Sequence, residues 1–227
     1  MASVSKCDNC YTLGSSEKPL KACSRCKAVK YCSKECQTAN WKLHKELCKK
    51  NAAHAEALQN TLNPAHRVPL PDGMTLPELD QRLEKWIHYH SPTIMAATIH
   101  ALRIPEDFTN LKTRVLHIIV SPRTDHDGRP AKYFRVREAN AYSVEEARRF
   151  PAPWAESIDN IEQMREESER MKRGSVAFAG VTCPPLGVQM VPFGSMRRMS
   201  EIQVVSNWKE RLVRDVEQGK KFSRWDN

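Results

Sequence analysis

Seven of the eight cysteines of this 227-residue chain stand in its first fifty residues. They fall as Cys7-x2-Cys10, Cys23-x2-Cys26 and Cys32-x3-Cys36, and the run closes with His44-x3-Cys48. A Cys-x2-Cys pair aims both sulfurs at one point from a tight turn, and a His and a Cys four apart on a helix share a face. Seven thiolates and one imidazole make two complete tetrahedral zinc sites with no coordination position left open. Closed sites of this kind hold a fold together, whereas a catalytic zinc keeps a place for water or substrate. Spacing alone does not say which ligands share an ion. A sequential reading groups Cys7, Cys10, Cys23 and Cys26 on one zinc and Cys32, Cys36, His44 and Cys48 on the other.

With the tail Tyr31-Cys32-Ser33-x2-Cys36-Gln37-x3-Trp41-x2-His44-x3-Cys48, residues 7–48 resemble a MYND-type zinc finger at all eight ligand positions. The resemblance implies an interleaved arrangement: Cys7, Cys10, Cys32 and Cys36 on the first zinc, and Cys23, Cys26, His44 and Cys48 on the second. It also implies that the finger binds short proline-containing peptides of partner proteins, with Gln37 and Trp41 in contact. Those two residues are four apart and so lie on one helical face. An extended peptide would add to the edge near Lys27 to Lys30 and stack a proline on the indole.

The elements that must position these ligands are short. Tyr11 to Ala22 reads as a polar loop, Lys27 to Tyr31 as a strand, and a helix from Thr38 carries Trp41, His44 and Cys48 towards Asn63-Pro64. So small a segment has little core, and zinc binding, on the order of 10 kcal/mol per site, supplies most of its folding free energy. This places the finger at residues 1–52, a helix extension and proline-bearing linker at 53–74, and a second domain at 75–227.

The second domain reads as α+β. Thr75 and Glu78 make a capping box ahead of Leu79, Leu83, Trp86 and His90 at helical spacing, and Ser91-Pro92 resets or kinks that helix. Arg114 to Val120 is a buried strand, and Lys132 to Glu138 pairs with it as a hairpin. Ser143 and Glu146 cap a short helix. A longer one from Pro153 puts Trp154, Ile158, Ile161, Met164, Ser168 and Met171 inward, with the run Glu162 to Arg173 as a solvated charged face. Two strands follow, Val176 to Thr182 and Gly187 to Phe193, flanking Cys183-Pro184-Pro185. A last helix bearing Trp208, Leu212 and Val216 starts at Ser200 or Ser206 and ends near Gly219. Arg197-Arg198-Met199-Ser200 suits a basophilic kinase, and Ser200 could cap that helix.

Composition bounds the function. The hydrophobic and charged fractions, 40% and 28%, are those of a globular protein. No apolar run is long enough for a membrane span, and Met1 to Lys6 has no apolar stretch to serve as a secretion signal. A reducing intracellular compartment, nucleus or cytoplasm, follows. The formal charge of +9 overstates the basic bias. Residues 1–50 carry eleven basic and four acidic side chains, and zinc ligation brings that segment to about +4. The chain lacks the interleaved aromatics or basic helix stripe of a nucleic-acid reader. It also lacks a phosphate-cradling glycine loop and a nucleophile elbow. Cys183 has no activating neighbour in sequence, and Asp125-His126-Asp127-Gly128 is an ordinary turn. The leading expectation is therefore a non-enzymatic zinc-binding adaptor. A nucleic-acid regulator acting through the basic finger, and an enzyme with its site in the C-terminal domain, stand as alternatives.

Overall fold

β1 (Lys21–Ala22) and β2 (Lys30–Tyr31) pair antiparallel, and α1 (Lys34–Gln59) follows directly. The computed structural model describes residues 6–60, 67, 69–197, 199 and 201–225. Arg198 and Ser200, and with them the kinase motif, lie outside the described residues, as does the Asn63-Pro64 helix end. α1 starts four residues before Thr38. The Ser33 hydroxyl accepts from the Cys36 amide at 3.3 Å, and Glu35 in the first turn favours the positive end of the helix dipole. The cap thereby fixes a cysteine ligand as well as the helix.

The chain divides into two compact units, Met1–Arg67 and Val68–Asn227. In the second, a 3-10 turn at Pro71–Gly73 leads to α2 (Leu76–Ala101), α3 (Asn110–Thr113), β3 (Arg114–Pro122) and β4 (Phe134–Ser143). Then come α4 (Val144–Ala147), α5 (Trp154–Arg170), β5 (Ser175–Thr182), β6 (Val188–Met196) and α6 (Trp208–Gln218). The four strands form one sheet in the order β4-β3-β5-β6. β3 with β4 and β5 with β6 are antiparallel hairpins, and the two hairpins join through the parallel pair β3–β5. A parallel junction needs a crossover, which α4 and α5 supply. A zinc finger followed by a mixed helix and sheet domain is the architecture the sequence implied.

One face of the sheet receives α5: Trp154, Ile158 and Ile161 pack with Val115, Val176 and Phe178. Gly180 is required there, because a Cβ would run into the Trp154 indole. α2 packs on the sheet and on α6, with Trp86 edge-to-face on Phe134 at 6.0 Å. Both capping boxes form, at Thr75 with Glu78 and at Ser143 with Glu146. Gly219 ends α6 in the left-handed conformation.

Three expectations are corrected. α2 runs unbroken through Pro92. That proline is solvent-exposed, as is His88, whose carbonyl loses its helical partner, so water can satisfy the carbonyl. Met164 and Met171 are exposed, at 47% and 45%, while Arg165 is turned inward at 5%. Its Nε donates to Val176 O at 2.9 Å and an Nη to Leu111 O at 2.8 Å. Finally, β4 begins at Phe134, because Pro130–Lys132 forms a 3-10 turn first.

Candidate metal centre

Two matching turns build the centre. Tyr11 N donates to Cys7 O at 2.9 Å, and Lys27 N donates to Cys23 O at 2.8 Å. In each the residue after the Cys-x2-Cys pair takes a positive φ, 62° at Tyr11 and 57° at Lys27. That tight return aims both sulfurs of a pair the same way. Asp8 N then donates to Lys30 O at 2.9 Å, while Lys30 N donates to Asp8 Oδ2 at 2.8 Å, tying the first turn to β2. Asn40 Nδ2 donates to Tyr31 Oη at 3.2 Å, tying α1 to β2.

The eight ligands converge in two sets. The ligand atoms of Cys7, Cys10, Cys32 and Cys36 lie within 4.8 Å of one another, and so do those of Cys23, Cys26, His44 and Cys48. This is the interleaved grouping, not the sequential one. Sulfurs 2.3 Å from a tetrahedral zinc stand ~3.8 Å apart. The structure gives 3.5 Å for Cys10–Cys32, 3.4 Å for Cys32–Cys36, 3.8 Å for Cys23–Cys48 and 3.6 Å from Cys26 Sγ to His44 Nε2. None of the cysteines is in a disulfide.

Electrostatics favour a cation. Burial pushes the Cys7 thiol up, but the backbone amides of Cys10, Cys32 and Asn9 bring it down to about 6. Cys23 likewise falls to about 6: burial opposes the fall, while the Cys26 amide and His44 drive it. Their neighbours go the other way. Cys32 is pushed up to about 12 by the side chains of Cys36, Cys10 and Cys7, and Cys48 to about 11 by burial and by Cys23 and Cys26. Thiolates form readily at Cys7 and Cys23, and the hydroxyl and amide of Thr12 bring Cys10 down as well; each thiolate repels the next, so four anionic or neutral soft donors at this spacing fit a divalent cation. Each set is a zinc-binding cluster, one of four cysteines and one of three cysteines and a histidine. Both are structural, because four protein ligands fill a tetrahedral ion.

The surroundings differ between the two. All four ligands of the histidine-bearing cluster are buried, and the rings of Tyr31 and Trp41 stand edge-on to His44 at 6.0 and 5.9 Å. Gln37 Nε2 lies 3.8 Å from Cys23 Sγ, a donor to a metal-bound sulfur of the kind that orients ligands. The sequence reading gives Gln37 a peptide contact alone. Its place one turn ahead of Trp41 on a ligand-bearing helix is the signal for this second role. In the all-cysteine cluster Cys7 is buried, but Cys10 and Cys32 are exposed.

Other candidate sites, in the C-terminal unit, take structural roles. Cys183 is fully buried and its thiol is pushed up to about 12 by that burial, which leaves it unreactive. His90 Nε2 bonds Ala131 O at 2.9 Å, and Asp125 is held by Arg123 well below the usual carboxylate range. A cavity of about 370 Å³ lies away from Cys183, between α2 and the C-terminal segment, lined by Met95, Ile99, His100, Ile202, Phe222 and Trp225. Among the described residues, no helix is long and apolar enough to cross a membrane.

The family model of the MYND finger matches residues 7–48. SET domain-containing protein 14 of Caenorhabditis elegans is 42% identical over 64 residues, 28% of this chain and 14% of that protein. The histone-lysine N-methyltransferase ASHR1 of Arabidopsis thaliana is 44% identical over 48 residues, 21% of this chain and 9% of its own length. A SET and MYND domain-containing protein of Dictyostelium discoideum is 62% identical over 32 residues, 14% and 6% of the two chains. The chain therefore matches less than a sixth of the length of each of these relatives, and no solved structure matches it. The expectation of a non-enzymatic chain is corrected by these relatives. Fingers this similar stand in proteins named for a methyltransferase or a SET domain, so the finger is no argument against catalysis. Eight ligands in two interleaved clusters, matched by the family model from the first ligand to the last, make residues 7–48 a MYND zinc finger, a module of protein interaction.

Proposed function

We propose that the finger docks a short proline-containing peptide of a partner protein against Gln37 and Trp41. The observation that carries this is Trp41, an indole set against the ligand His44 that is still 38% exposed. Contact with His44 holds the ring in place, so its face is offered to a ligand without an ordering cost. A proline ring, itself conformationally restricted, is the low-entropy partner such a face suits. Gln37 has its Nε2 directed at Cys23, which leaves its carbonyl oxygen to accept from a peptide amide.

The edge a peptide would extend differs from the one expected. Lys30 gives both its amide and its carbonyl to Asp8, so the Lys27–Lys30 edge is taken. β1, with both residues exposed and, among the described residues, β2 as its one strand partner, is the edge on which a peptide strand can form. The experiment is fluorescence anisotropy of a labelled panel of proline-rich peptides with the full chain, each peptide beside its proline-to-alanine control. Saturable binding of a proline peptide that weakens at least tenfold in Trp41→Ala, with two zinc ions retained, supports the reading. Equal binding of the alanine controls, or no change in Trp41→Ala, overturns it.

A further inference from the structure

The two zinc clusters share one small fold and differ in who can reach them. In the histidine-bearing cluster Cys23, Cys26, His44 and Cys48 are 1%, 8%, 3% and 0% exposed, and Tyr31 and Trp41 stand over the imidazole. In the all-cysteine cluster Cys10 and Cys32 face solvent. Their sulfurs are 3.5 Å apart and come from separate segments, the first turn and the residue before the α1 cap. Cys36 is nearer still to Cys32, at 3.4 Å, but it is only half-exposed and fixed in the first turn of α1.

We propose that the all-cysteine cluster is a thiol-oxidation site at which a peroxide joins Cys10 to Cys32 and expels one zinc ion, while the histidine-bearing cluster is kept from the same reaction by its burial. Zinc has no accessible redox change, so the electrons must come from sulfur. The steps balance. The exposed Cys10 thiolate attacks a peroxide oxygen, the O–O bond breaks, and one water leaves after protonation, giving a sulfenic acid. The Cys32 thiolate then attacks that sulfur, the S–O bond breaks, and a second water leaves. Two thiolates, one hydrogen peroxide and two protons become one disulfide and two waters. Two ligands are thus lost to the S–S bond, and the ion they held with Cys7 and Cys36 is released. The first turn, pinned to β2 through Asp8 and Lys30, loses its metal anchor to α1. Trp41 keeps its support on the second cluster.

The experiment uses the full zinc-loaded chain and hydrogen peroxide as the probe. Released zinc is followed with a metallochromic dye and cross-links are mapped by mass spectrometry. One ion should leave at least tenfold faster than the other, and the peptide joined at that stage should be Cys10–Cys32. A short iodoacetamide pulse on unoxidised protein provides an independent measure: Cys10 and Cys32 should be alkylated before Cys23, Cys26 or Cys48. Release of both ions in one phase, a first disulfide elsewhere, or alkylation that begins in the histidine-bearing cluster overturns the proposal.

Discussion

Arg165 shows how a single side chain can contradict its own sequence context. It sits in a run of charges with Glu169 one turn on, the pattern of a solvated ion-pair face. Glu169 instead pairs with Lys112 at 2.8 Å, and Arg165 reaches inward along Phe178. The reason lies in β5. The register between β5 and β6 shifts between Ser175 and Ala177, leaving Val176 without a ladder partner, and Leu111 belongs to a helix of four residues. Both residues present carbonyls to the interior, and a planar guanidinium on a long stem meets two of them at once. Arg165→Met keeps the stem and strands both oxygens. It should cost about 2–4 kcal/mol in chemical denaturation, against less than about 0.5 kcal/mol for Met164→Ala beside it. Equal effects would show that the inward bonds contribute nothing. No reading of residue order could find this, because the bulge that creates the demand is a tertiary event. The zinc ligands were legible for the opposite reason: their geometry is set by chain-local turns, and spacing encodes it. Which ligands share an ion was not legible from spacing, since interleaving depends on Asp8 meeting Lys30 across the fold.

Elements differ in the same way. The capping boxes at Thr75 and Ser143 involve residues three apart, so both were readable and both form. The start of α1 at Ser33 carries no such signature, because the third helical residue is Cys36, not the Glu or Gln that completes a box. α2 contains the clearest override of local preference, continuing through Pro92 into a last third buried from Ala96 to Ala101. Burial of that segment outweighs the helix-breaking cost. It also leaves a row of dissatisfied groups: Trp86 Nε1, His90 Nδ1 and Thr93 Oγ1 are buried without a partner among the described residues, whereas Thr98 Oγ1 donates to Ile94 O at 2.8 Å. An unpaired buried hydroxyl is a net cost that an isosteric methyl removes. Thr93→Val is expected to raise the denaturation midpoint, a gain of roughly 1 kcal/mol in unfolding free energy, and Thr98→Val to leave the midpoint unchanged or lower it. A lower midpoint in Thr93→Val would mean that the hydroxyl has a partner, and a bound water would be the group to look for.

At the scale of the molecule, the two units draw their stability from different sources, and pH and chelators should separate them. The C-terminal unit holds three histidines, His90, His100 and His117, whose pKa lies below the ordinary value of 6.5. Burial lowers all three, aided by Arg211 at His100 and opposed by the Ala131 carbonyl and Asp215 at His90 and by Glu138 at His117. The unfolded chain therefore binds protons that the folded one does not as pH falls through 6.5. Stability is complete above that value and is lost below it. His90, fully buried, can contribute a slope of up to about 1.4 kcal/mol per pH unit. Denaturation midpoints at pH 7.5, 6.5 and 5.5 should fall in that order. The finger's core is little more than its own ligands, with Tyr31, Leu20 and Val29 packed on them, so metal binding must carry its fold. The C-terminal unit has a four-stranded sheet with its own apolar core under the helices, which can hold without an ion. Stripping zinc from the full chain with excess chelator should therefore abolish amide protection across residues 7–48 and leave β3 and β5 as slow to exchange as before, measured by hydrogen exchange with mass spectrometry. Coincident loss of protection in β5 would mean that one cooperative structure spans both units and that the metal holds all of it.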